Sequence, residues 1–127
     1  MVDGSNNWYL RNSNSSGPAD AVFNYGVTRS HPVVGDWNGD GTDTIGLVDG
    51  SNNWYLRNSN SSGAPDAAFN YGYTPSYPVV GDWNGDGTDT VGSVSLGGTW
   101  ALRNNNSGGA PDEAFQFGLP GLVPLVW

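Results

Sequence analysis

The sequence contains no cysteine and no lysine among its 127 residues, and its only cationic side chains are four arginines. The absence of cysteine excludes disulfides and leaves the redox compartment open. Twelve acidic side chains give a formal charge of −8, and no basic stripe exists that could displace counterions from a polyanion. The sequence therefore predicts a protein that binds neither nucleic acid nor an acidic membrane surface.

Long apolar segments and helical patterns are also missing. No apolar run approaches the roughly 20 residues that span a bilayer, and the first residues have neither the basic nor the apolar part of a signal peptide. No window repeats apolar residues at helical spacing, since glycine, proline, asparagine and serine interrupt every segment. These absences predict an all-β chain without a membrane span.

A repeat of 46 residues organises what is present. Residues 2–16 and 48–62 are identical, and residues 32–46 recur as 78–92 with one change. The third unit has diverged, and Ala101 stands where the earlier units have tyrosine. Four residue types keep the spacing in all three units: Trp8, Trp54, Trp100, Arg11, Arg57, Arg103, Phe23, Phe69, Phe115, Gly26, Gly72 and Gly118. Near-identity of this kind indicates recent duplication or deliberate construction.

Each full unit divides into four short strand candidates separated by turn residues. They cover residues 33–37, 44–48, 53–57 and 67–72, then 79–83, 90–94, 99–103 and 114–118. Four strands in 46 residues is the size of one propeller blade. A β-solenoid is the competing interpretation, but its rungs are usually shorter and have fewer strands. The repeat therefore predicts β-propeller blades of four antiparallel strands.

An acidic loop joins the first two strands of each full unit. In its first copy Asp36, Asn38 and Asp40 take the first, third and fifth places. This spacing lets side-chain oxygens converge on one cation, while the glycine that follows allows a tight reversal. We predict that both loops bind Ca²⁺ as a structural cofactor. The candidate ligands are Asp36, Asn38, Asp40, Thr42 and Thr44 in one loop, and Asp82, Asn84, Asp86, Thr88 and Thr90 in the other.

The alternative is a metal-free turn in which Asp36 and Asn38 cap their own backbone amides. Three acids within eight residues repel one another without a counter-ion, which favours the metal. The loop is not a helical EF-hand, because its twelfth place holds Leu47 or Ser93 instead of glutamate.

The acidic loop followed by Trp-Tyr-Leu-Arg-Asn resembles the FG-GAP/VCBS-type repeats of bacterial proteins. Those repeats are similar to the blades of the integrin α-subunit propeller and of some propeller lectins. The resemblance covers essentially the whole chain and implies a β-propeller with calcium-binding hairpin loops and an extracellular or cell-surface origin. The loop departs from the family at its ninth place, where the usual Asp is replaced by Thr44 or Thr90 and the acid lies one place earlier, at Asp43 or Asp89.

The predicted blades do not coincide with the ends of the sequence. Residues 1–31 supply strands two to four of one blade, residues 32–77 and 78–123 are full blades, and residues 124–127 align with a first strand. Propellers have about four to eight blades, and open strand edges are templates for association. We predict a C2 homodimer in which residues 124–127 complete the partner's blade and six blades close a ring. The alternative is a fragment of a longer propeller.

One arginine at a fixed place in each unit predicts a structural pair with an acid, because a forked guanidinium suits a carboxylate. The candidate acids are Asp43 and Asp89, or Asp20, Asp66 and Asp112. The alternative is that these arginines bind an anionic ligand. Aromatic faces beside Asn, Asp and Arg can also stack on a sugar, and the candidate ligand-binding residues are Tyr9, Tyr55, Tyr73, Tyr77, Arg11 and Arg57.

No catalytic constellation is recognisable. The single histidine, His31, is replaced by Tyr77 and Val123 in the other units, and there is no cysteine nucleophile and no phosphate-binding glycine motif. We therefore predict a non-enzymatic, self-assembling repeat scaffold, natural or designed. The alternative function is a carbohydrate-binding or protein-binding propeller module.

Overall fold

The computed structural model describes residues 1–126, and this part of the chain is all-β, with ten antiparallel strands in three sheets. The predicted all-β class is confirmed. None of these residues forms a helix, so the described range has no helix long and apolar enough to cross a membrane. Within residues 1–126 the sheets do not close into a barrel or a ring.

The strands follow the repeat. The first sheet contains β1 (Asn7–Leu10) and β2 (Ala21–Asn24). The second sheet contains, in spatial order, β3 (His31–Gly35), β4 (Thr44–Val48), β5 (Asn53–Leu56) and β6 (Ala67–Asn70). The third sheet has the same order of β7 (Ser76–Gly81), β8 (Thr90–Ser95), β9 (Thr99–Leu102) and β10 (Glu113–Gln116).

Every strand predicted for the two full units is present, and the largest differences lie in the first strands. Both begin earlier than predicted, and both end at the glycine before the acidic loop, at Gly35 and Gly81. The strands end there because the following residues hydrogen-bond within their loop. For example, Asp40 N–H donates to the carboxylate of Asp36.

The register within the sheets is the same in all three units. Trp8, Trp54 and Trp100 lie opposite a phenylalanine of the next strand, and the paired rings are stacked with centroids 6.1 to 6.5 Å apart. Successive side chains of a strand point to opposite sides of its sheet. We call the side that carries these tryptophans the tryptophan face. The opposite side, which carries Tyr9, Tyr55 or Ala101, is the tyrosine face.

The three sheets stack through these faces. Trp8 and Tyr25 of the first unit form a buried cluster with Ile45 and Leu47 on β4, with Tyr55 packed against it. The tryptophan face of the second sheet is buried in the same way against Val91 and Val80 of the third sheet; its buried members are Trp37, Val48, Trp54, Leu56 and Tyr71. The core therefore consists of repeated layers between neighbouring sheets.

The first sheet continues beyond β1 as a short stub. Val2 forms a bridge with Trp8, as Val48 does with Trp54 in the second sheet. Tyr9 N–H also donates to the Met1 carbonyl at 2.8 Å. The stub therefore takes the place of a second strand, and residues 1–31 contribute no counterpart of β3.

The residues after β10 form no strand up to residue 126. Gly121 N–H donates to the Leu96 carbonyl at 3.3 Å, and residues 122–125 line a cavity together with Trp100 and Phe117. The predicted first strand at residues 124–127 is therefore not paired within the described chain, and its last residue, Trp127, lies outside the described residues.

Candidate functional site

The acidic loop between β3 and β4 is wrapped around the carboxylate of Asp36. That carboxylate accepts the N–H groups of Asp40 at 3.0 Å and Gly41 at 2.7 Å. Gly41 has a φ of 85°, a conformation that favours glycine. Asp40 in turn accepts Thr42 N–H at 2.9 Å, and Asn38 donates its amide to the other oxygen of Asp40 at 2.9 Å. Side chains of the loop thus accept three of its backbone N–H groups.

The loop between β7 and β8 repeats this arrangement. The carboxylate of Asp82 accepts the N–H groups of Asp86 and Gly87 at 3.0 and 2.8 Å. Asn84 donates to Asp86 at 2.9 Å, and Asp86 accepts Thr88 N–H at 2.9 Å. The amides of Asn38 and Asn84 are the main reason that the pKa values of Asp40 and Asp86 lie below the usual range, with the bonds from Thr42 and Thr88 adding to the effect.

The predicted metal ligands differ in how they could serve a cation. An ionised carboxylate has about four acceptor positions, so Asp36 and Asp40 keep acceptor capacity beside their backbone bonds. Asn38 would have to turn its amide to present the oxygen, because its nitrogen now faces Asp40. Thr44 and Thr90 are buried at the starts of β4 and β8.

The threonine hydroxyls are already used as donors. Thr44 Oγ1 donates to the Arg57 carbonyl at 2.7 Å, and Thr90 Oγ1 donates to the Gly81 carbonyl at 3.3 Å. No group of three or more Asp, Glu, His or Cys side chains that could hold a metal ion occurs among residues 1–126. A hydroxyl that donates its proton keeps its oxygen lone pairs, so Thr44 and Thr90 stay candidate ligands beside the oxygens at the first, third and fifth places and the carbonyl of the seventh.

Asp89, at the eighth place of its loop, has a partner that was not predicted. Its carboxylate accepts the backbone N–H of Asp36 at 2.9 Å, and its own N–H donates to the Asp36 carbonyl at 2.8 Å. The two acidic loops therefore meet at the contact between the second and third sheets. The corresponding Asp43 is exposed. This position joins neighbouring sheets, which the sequence alone does not reveal.

The repeated arginines organise their own turns in place of the predicted ion pairs. Arg11 donates to the carbonyls of Ser15, Ser16 and Pro18. Arg57 donates to the Ala64 carbonyl and to the hydroxyls of Ser59 and Ser61, and Arg103 makes the equivalent bonds in the third unit.

The acids predicted to pair with these arginines have a different role. The carboxylates of Asp20, Asp66 and Asp112 accept backbone N–H groups at the start of the same turns, at 2.7 to 2.8 Å. Arginine and aspartate therefore hold each turn at separate points, and both bind backbone groups. Arg11 and Arg57, predicted as ligand-binding residues, have several of their donors engaged in this way.

The four candidate ligand-binding tyrosines lie in different settings. Tyr9 and Tyr55 occupy the same place on the first and second sheets, and their hydroxyls donate to Asp3 and Asp49 at 3.0 and 3.3 Å. Tyr77 is part of β7 and pairs with Val94, whereas Tyr73 is exposed in the segment before that strand. Tyr9 and Tyr55 therefore occupy one repeated position, whereas Tyr73 and Tyr77 do not belong to it.

A cavity of about 300 Å³ lies between the first and second sheets. Its lining residues come from both units: Asn24, Tyr25, Gly26, Val27, Leu47, Tyr55, Gly63 and Pro65. Tyr25 was not predicted as a site residue, and its hydroxyl donates to the Tyr55 carbonyl at 3.2 Å. The guanidinium of Arg57 lies 5.9 Å from the centre of the Tyr25 ring. The 46-residue spacing of Tyr25 and Tyr71 was the available signal.

Two further cavities lie on the outer faces of the stack. One of about 330 Å³ is on the tryptophan face of the third sheet, where Trp100 and Phe115 meet the segment after β10, which includes Phe117. The other, of about 280 Å³, is lined by Met1, Tyr9, Arg11, Gly17 and Ala19 of the first unit. A comparison with protein-family models, curated proteins and solved structures finds no match to this chain.

Proposed function

We propose that this chain is a non-enzymatic, self-assembling scaffold of FG-GAP/VCBS-type β-propeller repeats. The observation that carries the proposal is the unequal burial of equivalent tryptophans. Trp8 and Trp54 are buried against the next sheet, whereas Trp100 remains partly exposed on a face with no neighbouring sheet in the described residues. Large exposed apolar surfaces of this kind mark sites of association.

The proposed assembly is a C2 homodimer in which the sheets act as blades and six blades form a ring. In this ring residues 124–127 leave the third sheet of their own copy. They form the first strand of the partner's first sheet, beside its stub. Val34 supports this arrangement because it is 52% exposed, whereas the equivalent Val80 packs against the core between the second and third sheets. A first strand beside the stub would cover Val34.

The experiment that tests the assembly is the mass of the chain in solution over a range of concentrations. The proposal requires a dimer, and a chain that stays monomeric at micromolar concentration contradicts it. A second chain that ends at residue 122 separates the roles of the strand and the sheet face. If strand exchange contributes, this shorter chain dimerises more weakly than the complete one.

We further propose that the acidic loops bind Ca²⁺ with a structural role. Asp36, Asn38 and Asp40 and the equivalent Asp82, Asn84 and Asp86 would supply the side-chain oxygens, aided by the Thr42 and Thr88 carbonyls. A ligand that binds only the folded state raises its stability. We therefore expect Ca²⁺ to raise the melting temperature and EDTA to lower it. An identical midpoint in both solutions removes the metal from the proposal.

A carbohydrate-binding function is the second candidate, and the cavity between the first and second sheets favours it. An aromatic ring, an exposed amide and an apolar floor are brought together there by Tyr55, Asn24 and Leu47. Concave sites with aromatic walls and few polar groups are typical of ligand pockets. Screening the intact oligomer against an array of glycans tests this function, and an array without signal contradicts it.

A further inference from the structure

We infer that two copies of this chain dock head to tail, with the tryptophan face of the third sheet of one copy against the tyrosine face of the first sheet of the other. This inference rests on the self-assembly proposed above and specifies the two surfaces that meet. The partner is a second copy because the chain already contains two contacts of this type between its own sheets. The tyrosine face of the first sheet and the tryptophan face of the third sheet are the two halves of one further contact of the same type.

The contact between the first and second sheets defines what each half contributes. The tryptophan face supplies Trp8, whose indole N–H donates a hydrogen bond to the Tyr25 carbonyl at 2.9 Å. This bond places the Tyr25 ring over the next sheet. The tyrosine face supplies Leu47 and Tyr55, which close the contact from the other side. In the second contact the indole N–H of Trp54 donates to the Tyr71 carbonyl at the same distance, 2.9 Å.

The third sheet carries the first half without a partner. The indole N–H of Trp100 donates to the Phe117 carbonyl at 3.1 Å, so the backbone at Phe117 has the arrangement seen in the other units. Yet Phe117 is 70% exposed, whereas Tyr71, its equivalent in the second unit, is 5% exposed. The aromatic anchor is therefore in position, and the surface that covers it elsewhere is missing.

The surroundings of Gly118 also show that the third sheet has no neighbouring sheet on its tryptophan face in the part of the chain that is described. A Cβ atom at Gly26 would lie 2.2 Å from Leu47, and one at Gly72 would lie 2.9 Å from the Ser93 hydroxyl, so the next sheet fills both places. At Gly118 the nearest atom is 3.9 Å away and belongs to Leu122 of the following segment. The third unit thus leaves room for a side chain from another sheet.

The first sheet carries the complementary half. Tyr9 hydrogen-bonds to Asp3 as Tyr55 does to Asp49, so its ring is held in the same way. Met1 takes the place of Leu47 but is 90% exposed, whereas Leu47 is 2% exposed. This face therefore matches the one that covers Tyr25 inside the chain, and it has nothing packed on it among residues 1–126.

The two outer cavities correspond to the two halves of the inner one. Phe117, Gly118 and Leu119 line one of them at the places of Tyr25, Gly26 and Val27. The other is lined at the places of Leu47, Tyr55, Gly63 and Pro65 by Met1, Tyr9, Gly17 and Ala19. Docking of two copies brings these halves together and forms a second pocket of the inner type, which neither copy contains alone.

Docking displaces the segment that now lies on the third sheet. Leu122, Pro124 and Leu125 line the cavity over Trp100, but Leu125 remains 75% exposed, so the segment covers this face incompletely. A flat sheet face can bury Trp100 and Phe117 more fully than one irregular segment. The released segment is then free to take part in the strand exchange proposed above.

A complementation experiment tests the two surfaces. Phe117→Lys and Tyr9→Glu each place a charge on one half, and we expect either variant alone to weaken the dimer by roughly 30-fold or more, the size expected of an interface hot spot. A mixture of the two variants restores the dimer, because a mixed pair has one unaltered contact and one contact between Lys and Glu. A dimer in which like faces meet behaves differently, since only one of the two changes then lies in the contact and the mixture cannot place Lys against Glu.

Matched variants control for the added charges and for folding. Asn104→Lys and Asn12→Glu introduce the same charges in exposed turns of the same two sheets and should leave the dimer unchanged. Phe117→Tyr introduces the residue of the other two units and should also dimerise. Circular dichroism and a cooperative unfolding transition establish that each variant is folded.

The outcomes separate this inference from the proposed function. A monomeric wild-type chain contradicts self-assembly itself. A wild-type dimer that tolerates both charged variants leaves self-assembly standing and overturns the assignment of these faces. Loss of the dimer without recovery in the mixture overturns the head-to-tail arrangement.

Discussion

The second and third sheets share most of the residues of their tryptophan faces, but only the second sheet is covered on that face. Trp54 is fully buried and Trp37 nearly so, whereas Trp100 and Trp83 are partly exposed. Asp36 is also buried, and the equivalent Asp82 is exposed. The difference arises from the neighbour of each sheet and not from its own sequence, as expected of repeats stabilised by nearest-neighbour contacts.

The largest difference between the two sheets should appear on truncation of the equivalent tryptophans. Trp54→Ala leaves a cavity between two sheets and should cost about 3–5 kcal/mol of unfolding free energy. Trp100→Ala removes a side chain that is already partly in water and should cost less than about 2 kcal/mol. Denaturant unfolding at a concentration where the chain is monomeric measures both values.

Equal losses at these two tryptophans would contradict the comparison. If Trp54→Ala does not fold, Trp54→Phe and Trp100→Phe give the same ranking with smaller effects. Under conditions that favour the dimer, the cost of Trp100→Ala should rise toward that of Trp54→Ala, because docking buries Trp100.

The contact between the acidic loops should give the next largest effect. Asp89→Ala removes the acceptor of the Asp36 N–H and should cost about 1–2 kcal/mol. Asp43→Ala changes the same place in the earlier loop, where the side chain is exposed, and should stay within about 0.5 kcal/mol. Thermal or denaturant unfolding compares the two, and a similar loss in both variants would show that the loop contact does not stabilise the stack.

A smaller effect is expected for the arginines of the first two units. Arg11→Gln and Arg57→Gln both remove bonds within a turn, but Arg57 also lies over the Tyr25 ring. A cation over an aromatic ring contributes about 0.5–1 kcal/mol at an exposed site. We therefore expect Arg57→Gln to be more destabilising than Arg11→Gln by about this amount. Addition of Tyr25→Leu to each variant should abolish the difference, and its persistence would assign it to another cause.

The last comparison concerns stability at high pH. Burial raises the pKa of Tyr71 to about 12 from 10.0, so the folded protein favours the neutral phenol more than the unfolded chain does. This contribution is fully present below pH 10.0 and is lost as the pH rises toward about 12. Tyr71→Phe should therefore reduce the loss of stability in that interval, which unfolding curves at several pH values can measure.

The third sheet supplies the control for this titration. At a concentration where the Phe117→Tyr variant is monomeric, its new hydroxyl lies at the same place but on an exposed face, so we expect it to ionise at lower pH than Tyr71. Absorbance of the phenolate follows both groups. Ionisation of the two at the same pH would mean that the neighbouring sheet does not determine the pKa of this position.

The strands and their stacking could be predicted because they depend on local patterns that recur. Glycine-rich turns and β-branched runs place four strands in each full unit, and the spacing of Trp8, Trp54 and Trp100 marks the layer between sheets. Both signals lie within one unit and are repeated, so they reinforce each other. Self-assembly and Ca²⁺ binding stay predictions, because they require atoms that a single chain does not contain.

The partners of the charged side chains could not be predicted. The sequence offers carboxylates to Arg57, but its nearest acceptors are carbonyls and hydroxyls of a turn whose shape is set by small polar residues. Asp89 likewise binds a backbone amide of another unit, 53 residues away in the sequence. A backbone amide occurs at nearly every residue, so the sequence gives no mark of which one lies in reach.

The hydrogen bonds of the repeated arginines have a consequence for how such a chain can change in length. Arg11, Arg57 and Arg103 each bind groups of their own turn, so the charge and its acceptors occupy one continuous stretch of fewer than ten residues. A gene duplication or deletion that spans a whole unit therefore moves donor and acceptors together, and no repeated arginine is left without its acceptors. The array can gain or lose members without any compensating mutation at its positive charges.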